Sequence, residues 1–367
     1  MKNKLIYITY QTFPATTANS IQTISTLKHL SRQNIDVSLI FPLRNKESSS
    51  NLSYLQEFYD FNDEINTIGT IHPLPFKKIK FFEKTMYLLS HFMWSYFTVK
   101  KYSKNKDKRK FFTRSEWVFY FLSKKDIHVV YECHQLSKLK KVLINQSLKK
   151  ANSKIIALTT YLKEEIGHKD SQRVSVIGSA YDNDFFFSST QKDNVVVYAG
   201  SLNRFGISRG LDILLNSFKN LTGKEVVFKI ISSNDEELED LKTTFLNLNP
   251  SIGIETFHNL NPTEVAKLMS TAKVGLLINN QTKHSEYYSS PLKYFEYLAA
   301  GLNIVATDLK SHKTLPYNDH IKFYSADDRA SFEMGILEAL EDKNTPYGDL
   351  NLYSMETRVT NIIKILF

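Results

Sequence analysis

The sequence is poor in cysteine and contains no long hydrophobic run. The single cysteine among 367 residues, Cys133, excludes an internal disulfide and fits a reducing compartment. The opening MKNKLIYITYQTF has an apolar run of about five residues, too short for the core of a secretory signal. The longest hydrophobic segment, residues 87–99, contains Ser and His and falls short of the ~20 residues that cross a bilayer. We therefore expect a cytoplasmic protein, at most peripheral on the inner face of the cell membrane.

Charge is distributed unevenly along the chain. Residues 1–187 hold 29 Lys and Arg against 16 Asp and Glu, a net +13, whereas residues 188–367 hold 18 against 22, a net −4, in accord with the total of +9. The asymmetry indicates an anionic partner for the first half. Basic stretches at 77–84 and 100–112 bracket the segment 87–99. They are interpreted either as solvated loops beside a core helix or as a face for anionic lipid headgroups. Nucleic acid is not expected as a partner, because no recognised binding motif accompanies the charge.

Short β-rich runs alternate with segments whose apolar residues recur at helical spacing. Strands are predicted at 5–9, 35–41, 128–133, 153–158, 173–178, 195–200, 226–231, 254–257, 274–278 and 303–307. Helices are predicted at 20–32, 211–220, 235–247, 262–270, 291–300 and about 329–341, with a helical tail at about 350–367. The strands of the second half are compact and lack strict polar alternation, which is typical of parallel strands covered on both faces.

The length and this alternation predict an α/β fold of two Rossmann-like domains with parallel sheets. The first domain is predicted at 1–187 and the second at 188–349, with the tail helix as a candidate to pack back onto the first. Ligands of such sheets bind at the carboxyl ends of the strands, so the working site is expected in the cleft between the domains.

The stretch SSPLKYFEYLAAG, residues 289–301, has the features of a helix with defined ends. Ser290 is the predicted N-cap, Pro291 occupies the first helical position and Gly301 follows the last. Free N–H groups at the helix start attract anions. Glu296 stands five residues past Pro291, ~7–8 Å along the axis at ~1.5 Å per residue. A nucleoside diphosphate fits that spacing, with phosphates at the helix start and ribose hydroxyls on the carboxylate. The alternative is a surface glutamate on an ordinary core helix.

Several motifs resemble one family. SPLKYFEYLAAGLNIVATD, residues 290–308, resembles the donor-binding signature of the retaining GT-B-fold glycosyltransferases of family 4, also called glycosyl transferases group 1. Further segments that resemble the family are 16–40, 129–136 (VVYECHQL), 151–166, 173–186 and 196–218. The likeness therefore extends over most of the chain, and residues 42–110 carry little of it.

The resemblance implies a diphosphate-binding loop in the second half. The family carries a GR…KG loop; here the KG position reads Arg209-Gly210 and the GR position reads Gly200-Ser201, so the usual arginine is absent and Arg204 is a candidate to replace it. A cation is needed there because the leaving group is a diphosphate.

The start of the 291–300 helix is expected to complete the donor site. Many family members carry a second glutamate where this chain has Tyr288, so backbone N–H groups are expected to bind the donor here, while Lys293 is expected to face solvent. The predicted donor-binding residues are Gly200, Arg204, Arg209, Ser289, Ser290, Pro291, Leu292 and Glu296.

The first half is expected to contribute residues near the sugar. His134 ends a strand beside Glu132 and matches the family histidine thought to contact the transferred sugar; the alternative is a structural histidine. Asn19 and Ser20 match a loop that approaches the donor phosphates and the acceptor. With Arg209 and Glu296, His134 forms the predicted catalytic set.

The implied reaction is transfer of a sugar, with retention, from a UDP- or GDP-linked donor to a hydroxyl of a saccharide or lipid-linked acceptor, in cell-surface polysaccharide or glycolipid synthesis. No DxD-like motif or zinc-type Cys/His spacing stands out, so neither a metal nor another cofactor is expected. The alternatives are a sugar-nucleotide epimerase of the same fold and a non-catalytic nucleotide-sugar-binding protein. A dinucleotide oxidoreductase is not expected, because no GxGxxG follows a strand.

Overall fold

A computed structural model describes residues 3–44, 46–72, 83–104, 109–167, 171–189, 191–204, 207–343 and 348–367. The chain divides into two compact units. Unit 1 comprises residues 1–178 and 355–367, and unit 2 comprises residues 179–354. The two Rossmann-like domains predicted from the sequence are confirmed, since each unit contains one parallel sheet with helices between its strands.

Unit 1 contains a seven-stranded sheet in the order β3-β2-β1-β4-β5-β6-β7. Its strands are β1 (Asn3–Ile8), β2 (Ile35–Leu43), β3 (Asn66–Ile71), β4 (Arg109–Thr113), β5 (Val129–Cys133), β6 (Ser153–Ala157) and β7 (Val174–Val176). Its helices before the crossing to unit 2 are α1 (Ala18–Arg32), α2 (Leu52–Tyr59), α3 (Glu83–Tyr102), α4 (Glu116–Lys124), α5 (Lys138–Ser147) and α6 (Thr160–Ile166). The strands β3 and β4 lie outside the predicted runs: β3 is a polar edge strand with Gly69, and β4 begins inside the basic stretch 100–112.

Unit 2 contains a six-stranded parallel sheet in the order β12-β11-β8-β13-β14-β15 and a short two-stranded hairpin. The sheet strands are β8 (Asp193–Ala199), β11 (Val227–Ser232), β12 (Gly253–His258), β13 (Ala272–Leu277), β14 (Asn303–Thr307) and β15 (Ile321–Tyr324), and the hairpin is formed by β9 (Asn203–Arg204) and β10 (Ile207–Ser208). The helices are α7 (Asp235–Leu248), α8 (Pro262–Thr271), α9 (Leu292–Ala299) and α10 (Arg329–Glu341).

The last helix, α11 (Met355–Leu366), belongs to unit 1 although it follows unit 2 in sequence. It is amphipathic, and its apolar residues Met355, Val359, Ile362 and Leu366 are buried. It packs against α1, β4 and β5. The C-terminal residues therefore complete the core of the first unit and lie close to the strands that carry its predicted site residues.

One predicted helix is largely absent. The pattern at 211–220 predicts a full helix, but only a 3₁₀ turn, Leu211–Leu214, is formed. Beyond it, Phe218 N donates to the side-chain carbonyl of Asn249, and Leu221 N donates to the carboxylate of Glu333. These side chains from distant elements replace the carbonyls that a continuing helix would have used.

The strand order gives each unit the same switch point. In both sheets the chain builds three strands outward from β1 or β8, and then returns to add the remaining strands on the other side. Ligands of such sheets bind at the carboxyl ends of the strands beside this reversal. The relevant neighbours are β1 and β4 in unit 1, and β8 and β13 in unit 2.

Candidate functional site

The start of α9 lies at the carboxyl edge of the unit 2 sheet, because α9 follows β13 and precedes the parallel strand β14. Helix α9 begins at Leu292, with Pro291 as an N-cap residue that makes no side-chain capping bond. The prediction that Ser290 caps the helix is wrong. Its Oγ accepts a hydrogen bond from Ser179 N at 2.8 Å, and its carbonyl accepts one from Ser179 Oγ at 2.6 Å.

The consequence is a helix start that no described side chain caps. The backbone of Ser289 and Pro291 is extended, so no helical turn precedes Leu292 directly. Of the N–H groups in the first turn, that of Tyr294 donates to the carbonyl of Pro291 at 3.1 Å, whereas those of Leu292 and Lys293 have no acceptor within the helix. Together with the helix dipole they favour an anion at this position. At the other end, Gly301 has φ 70°, which confirms its predicted place after the helix.

Glu296 lies on α9 and only 4 % of its surface is exposed, so it is not an ordinary surface glutamate. Its Oε2 lies 2.7 Å from Lys293 Nζ, one turn earlier on the helix. The expectation that Lys293 faces solvent is therefore wrong, since this side chain is paired and partly covered. The contact lacks the alignment of a hydrogen bond, so Oε2 makes no directed bond within the described chain.

The predicted phosphate loop is held at the carboxyl ends of β8 and β13. Gly200 directly follows β8 and donates its N–H to the carbonyl of Ile231 at 2.9 Å. Asn280, shortly after β13, donates from its side chain to the carbonyl of Ser208 at 3.0 Å. Gly210 has φ 90°, a left-handed conformation that a residue with a side chain rarely adopts. The backbone is thus fixed on both sides of Arg209.

Arg209 keeps part of its guanidinium without a protein partner. Its Nε is buried and forms no hydrogen bond within the described chain. The neighbouring Tyr198 has its pKa raised to about 12 by burial, an effect that Arg209 opposes. A buried donor of this kind calls for an explanation, and an absent anionic ligand is one. The side chain of Arg204, the second predicted cation, lies outside the described residues.

In unit 1 the predicted histidine belongs to a buried ionic cluster. His134 Nε2 lies 2.6 Å from Glu132 Oε1, and Arg114 donates to the same oxygen at 2.7 Å. The second carboxylate oxygen, Oε2, lies 3.0 Å from a guanidinium nitrogen of Arg358 on α11. The Glu132 side chain is 1 % exposed, whereas that of His134 is 21 % exposed and forms the accessible end of the cluster.

The charges of this cluster determine the state of His134. Burial would raise the pKa of Glu132, but Arg114 and Arg358 outweigh it and hold that pKa well below its usual range. Burial, and then Arg114, lower the pKa of His134 to about 4. The imidazole is therefore neutral at pH 7. Since its Nε2 faces an ionised carboxylate, Nε2 carries the proton and Nδ1 is left as an acceptor.

Arg114 also joins the histidine to the start of α1. It donates to the carbonyl of Asn19 at 2.9 Å and to Thr23 Oγ1 at 3.0 Å. The structure thus brings the backbone of Asn19 and His134 into one network. Ser20 differs: its hydroxyl lies 3.0 Å from the N-cap residue Thr17, and the residue is buried.

Three residues of this region were not predicted from the sequence: Arg114, Arg358 and Ser179. Arg114 had a usable signal, because it directly precedes a Ser-Glu helix start at the end of an aromatic run, FFTRSEW. Arg358 contacts Glu132 and Ser179 contacts Ser290, and each pair is separated by more than a hundred residues in sequence. No local sequence pattern therefore indicates these contacts.

A family model described as glycosyl transferases group 1 matches residues 193–342, which is nearly all of the second sheet and its helices. No curated protein matches the sequence significantly.

Solved structures resemble the whole chain in fold. Sucrose-phosphate synthase from Thermosynechococcus elongatus aligns with a TM-score of 0.68 and 13 % identity, over 100 % of this chain and 95 % of that one. A lipopolysaccharide outer core galactosyltransferase gives 0.61 and 15 %, over 98 % and 99 %. A putative UDP-N-acetylglucosamine 2-epimerase from Listeria monocytogenes gives 0.59 and 9 %, over 99 % and 95 %. The chain therefore has the GT-B fold of these enzymes, and its second unit matches the group 1 glycosyltransferase model.

Proposed function

We propose that the protein is a retaining glycosyltransferase that moves a sugar from a UDP- or GDP-linked donor to a hydroxyl acceptor. The observation that carries the proposal is the uncapped start of α9, with the buried carboxylate of Glu296 further along the same helix. The loop of Arg209 lies at the same edge of the same sheet. A diphosphate at the helix start and ribose hydroxyls on Glu296 would satisfy both features.

The chemistry follows from the charges. As the glycosidic bond breaks, negative charge develops on the departing diphosphate, and Arg209 with the helix N–H groups stabilises it. We propose that the acceptor attacks on the face that the phosphate leaves, and that the phosphate takes the acceptor proton. His134, neutral with Nδ1 as acceptor, would orient a hydroxyl of the transferred sugar. The protein's contribution in this proposal is orientation and electrostatics.

A thermal-shift panel of nucleoside diphosphates and nucleotide sugars tests the proposal. We expect one nucleotide base to raise the melting temperature, and the matching nucleotide sugar to be turned over with a suitable acceptor. NMR of the product should show the donor's anomeric configuration. Donor epimerisation without acceptor would favour a sugar-nucleotide epimerase, an activity named for one protein of this fold. Binding without turnover would favour the non-catalytic alternative, and the absence of any nucleotide binding would contradict all three.

Chelation of metals is expected to leave turnover unchanged. The proposed site neutralises the diphosphate with Arg209 and helix N–H groups, so removing divalent cations should change the rate less than about twofold. The measurement is the initial rate after dialysis against EDTA, compared with the rate after magnesium or manganese is restored. A complete loss that metal reverses would contradict this prediction.

We further propose that α3 and α4 dock unit 1 on an anionic membrane that carries the acceptor. No described helix is long and apolar enough to span a membrane. However, α3 presents an exposed apolar stripe, with Leu89, Phe92, Tyr96 and Phe97 between 38 % and 51 % exposed. Phe92 packs edge-on against Trp117 of α4, which extends the aromatic surface.

Lysines border this stripe at one end. The exposed ones are Lys100, Lys101, Lys104, Lys124 and Lys125, and none pairs with a described acidic residue. Phe92 contacts Trp117 while Tyr96 contacts Phe121, so α3 and α4 run in the same direction and their lysine-bearing ends lie together. Aromatic rings beside unpaired lysines suit the interface of an anionic bilayer. Of the two basic stretches noted in the sequence, residues 77–82 and 105–108 lie outside the described residues.

Replacing Lys100 and Lys104 by Ser is expected to weaken binding to phosphatidylglycerol vesicles roughly 30-fold, since each lysine near an anionic surface contributes about 1 kcal/mol. Co-sedimentation measures the effect. The control is Lys219→Ser with Lys267→Ser, two exposed lysines of unit 2. Phe97→Ser should reduce binding at both low and high salt. Equal, negligible binding of the wild type to anionic and neutral vesicles would contradict the membrane proposal.

A further inference from the structure

The carboxylate of Glu132 is held from two sides by arginines of different elements. Arg114, directly after β4, donates to Oε1 at 2.7 Å, and Arg358 of α11 lies 3.0 Å from Oε2. All three side chains are nearly inaccessible, with exposures of 6 % or less. Such a triad costs desolvation energy, and hydrophobic replacements of buried triads are often tolerated. Stability alone therefore does not account for a buried arginine at position 358.

Arg358 is itself fixed by unit 1. Its Nε donates to the carbonyl of Gly178 at 2.8 Å, and another guanidinium nitrogen donates to Thr26 Oγ1 at 3.1 Å. The remaining nitrogen, Nη2, forms an ion pair with Glu132 Oε2 at 3.0 Å that lacks the alignment of a hydrogen bond. Lysine could supply the charge but could not reproduce this fork.

The position of Oε2 sets the position of Oε1, since both belong to one planar group. Oε1 is the atom that His134 contacts at 2.6 Å. If Arg358 did not hold Oε2, the carboxylate could turn toward Arg114 alone, and His134 would lose its aligned acceptor. The same arginine acts on charge: as a nearby cation it opposes a second proton on the imidazole.

We propose that Arg358 is a positioning residue, through which the C-terminal helix fixes Glu132 and thereby the orientation and single-proton state of His134. The inference depends on the proposed function only for its effect on turnover; the effect on His134 itself holds whether or not the protein transfers sugar. The charged groups that face His134 are Glu132 of β5, Arg114 after β4 and Arg358 of α11.

NMR titration of the histidine Cε1–H resonance tests the proposal on the full chain. The His134 signal is assigned by its loss in His134→Asn. In the wild type we expect no titration of this signal between pH 5.5 and 8, since burial and Arg114 hold the pKa of His134 at about 4. In Arg358→Met the midpoint should rise above the wild-type value, because one cation that opposes a second proton is lost, while burial and Arg114 still hold it below the ordinary histidine value. Arg358→Lys should restore part of the difference.

The matched control is Arg173→Met. Arg173 anchors backbone carbonyls of Leu148 and Lys150 in the same unit, so its loss perturbs stability without touching Glu132. If Arg358→Met does not fold, Arg358→Gln is titrated with the same expectation. An unchanged His134 signal in a folded Arg358 variant would overturn the proposal, as would an equal shift in Arg173→Met.

Activity gives a second readout. The acidic limb of the pH–kcat/KM profile should move to higher pH in Arg358→Met, while a merely structural role would lower activity at all pH values alike. Absence of any turnover in the wild type would contradict the proposed function but leave the NMR result to decide the role of Arg358.

Discussion

Replacing Glu296 by Gln is expected to weaken binding of the nucleoside diphosphate roughly 10- to 100-fold. A buried carboxylate that accepts hydrogen bonds from ribose hydroxyls contributes about 1.5–3 kcal/mol. Gln keeps the size of the side chain and one carbonyl oxygen but loses the charge and the second acceptor. Isothermal titration with the nucleotide found in the thermal-shift panel measures the change.

The decisive comparison uses a nucleotide without ribose hydroxyls. The wild type should prefer the ordinary nucleoside diphosphate over its 2′,3′-dideoxy form, and Glu296→Gln should lose most of that preference. Lys293→Met separates the ribose contact from the ion pair on α9, since it removes the partner and keeps the carboxylate. Glu338→Gln is the control for an exposed glutamate of unit 2 that also pairs with a lysine. A preference that survives in Glu296→Gln would contradict the assignment of Glu296.

The sequence predicted much of the architecture because parallel sheets leave strong local signals. The strand bounds at 303–307 and the helix bounds at 329–341 agree with β14 and α10 residue for residue. Both are bordered by polar or turn residues, and all five residues of β14 are buried, as expected for a parallel strand covered on both faces. The strands β3 and β4 were beyond this reasoning, because their polar and basic residues lack a compact apolar run.

Two of the failures, the helix predicted at 211–220 and the Ser290 cap, share one physical cause, which is hydrogen bonding between residues far apart in sequence. Within the predicted helix 211–220, Phe218 N donates to the side-chain carbonyl of Asn249 in place of the helical acceptor that local spacing favours. Ser290 bonds to Ser179 instead of capping α9. In each case a side chain suited to a local role is used by a distant partner, and the sequence offers no means of choosing between the two.

In the candidate site, too, residues with a local sequence signal could be predicted, whereas contacts between distant residues could not. Gly200 ends one predicted strand and His134 directly follows another. Because parallel strands all end at the same edge of their sheet, the sequence alone places both residues at a carboxyl edge. The sequence does not predict that Arg114 and Arg358 contact Glu132. These contacts form only when unit 1 is folded and α11 packs onto it. The nucleotide base, the sugar and the acceptor depend on side chains that no motif singles out.

Replacing Arg209 by Ala is expected to lower kcat by on the order of 100- to 1000-fold, with a smaller change in the affinity for the donor. Charge on the leaving diphosphate is greatest in the transition state, so a cation that faces it acts mainly there. Loss of one such donor costs about 2.7–4 kcal/mol in well-studied sites. Single-turnover kinetics with a radiolabelled nucleotide sugar separates the chemical step from binding.

Two further variants make this result specific. Arg209→Lys keeps the charge without the fork and should recover part of the rate, whereas Arg329→Ala removes an exposed arginine from unit 2 and should leave the rate unchanged. Arg209→Ala removes a side-chain contact with Tyr198 and leaves the position of the unsatisfied Nε empty, so the melting temperature is measured for each variant and kcat is compared among folded variants. Unchanged turnover in a folded Arg209→Ala would exclude Arg209 from charge stabilisation. The leaving group would then depend on the α9 start alone, and the missing arginine at Ser201 would have no replacement in the described loop.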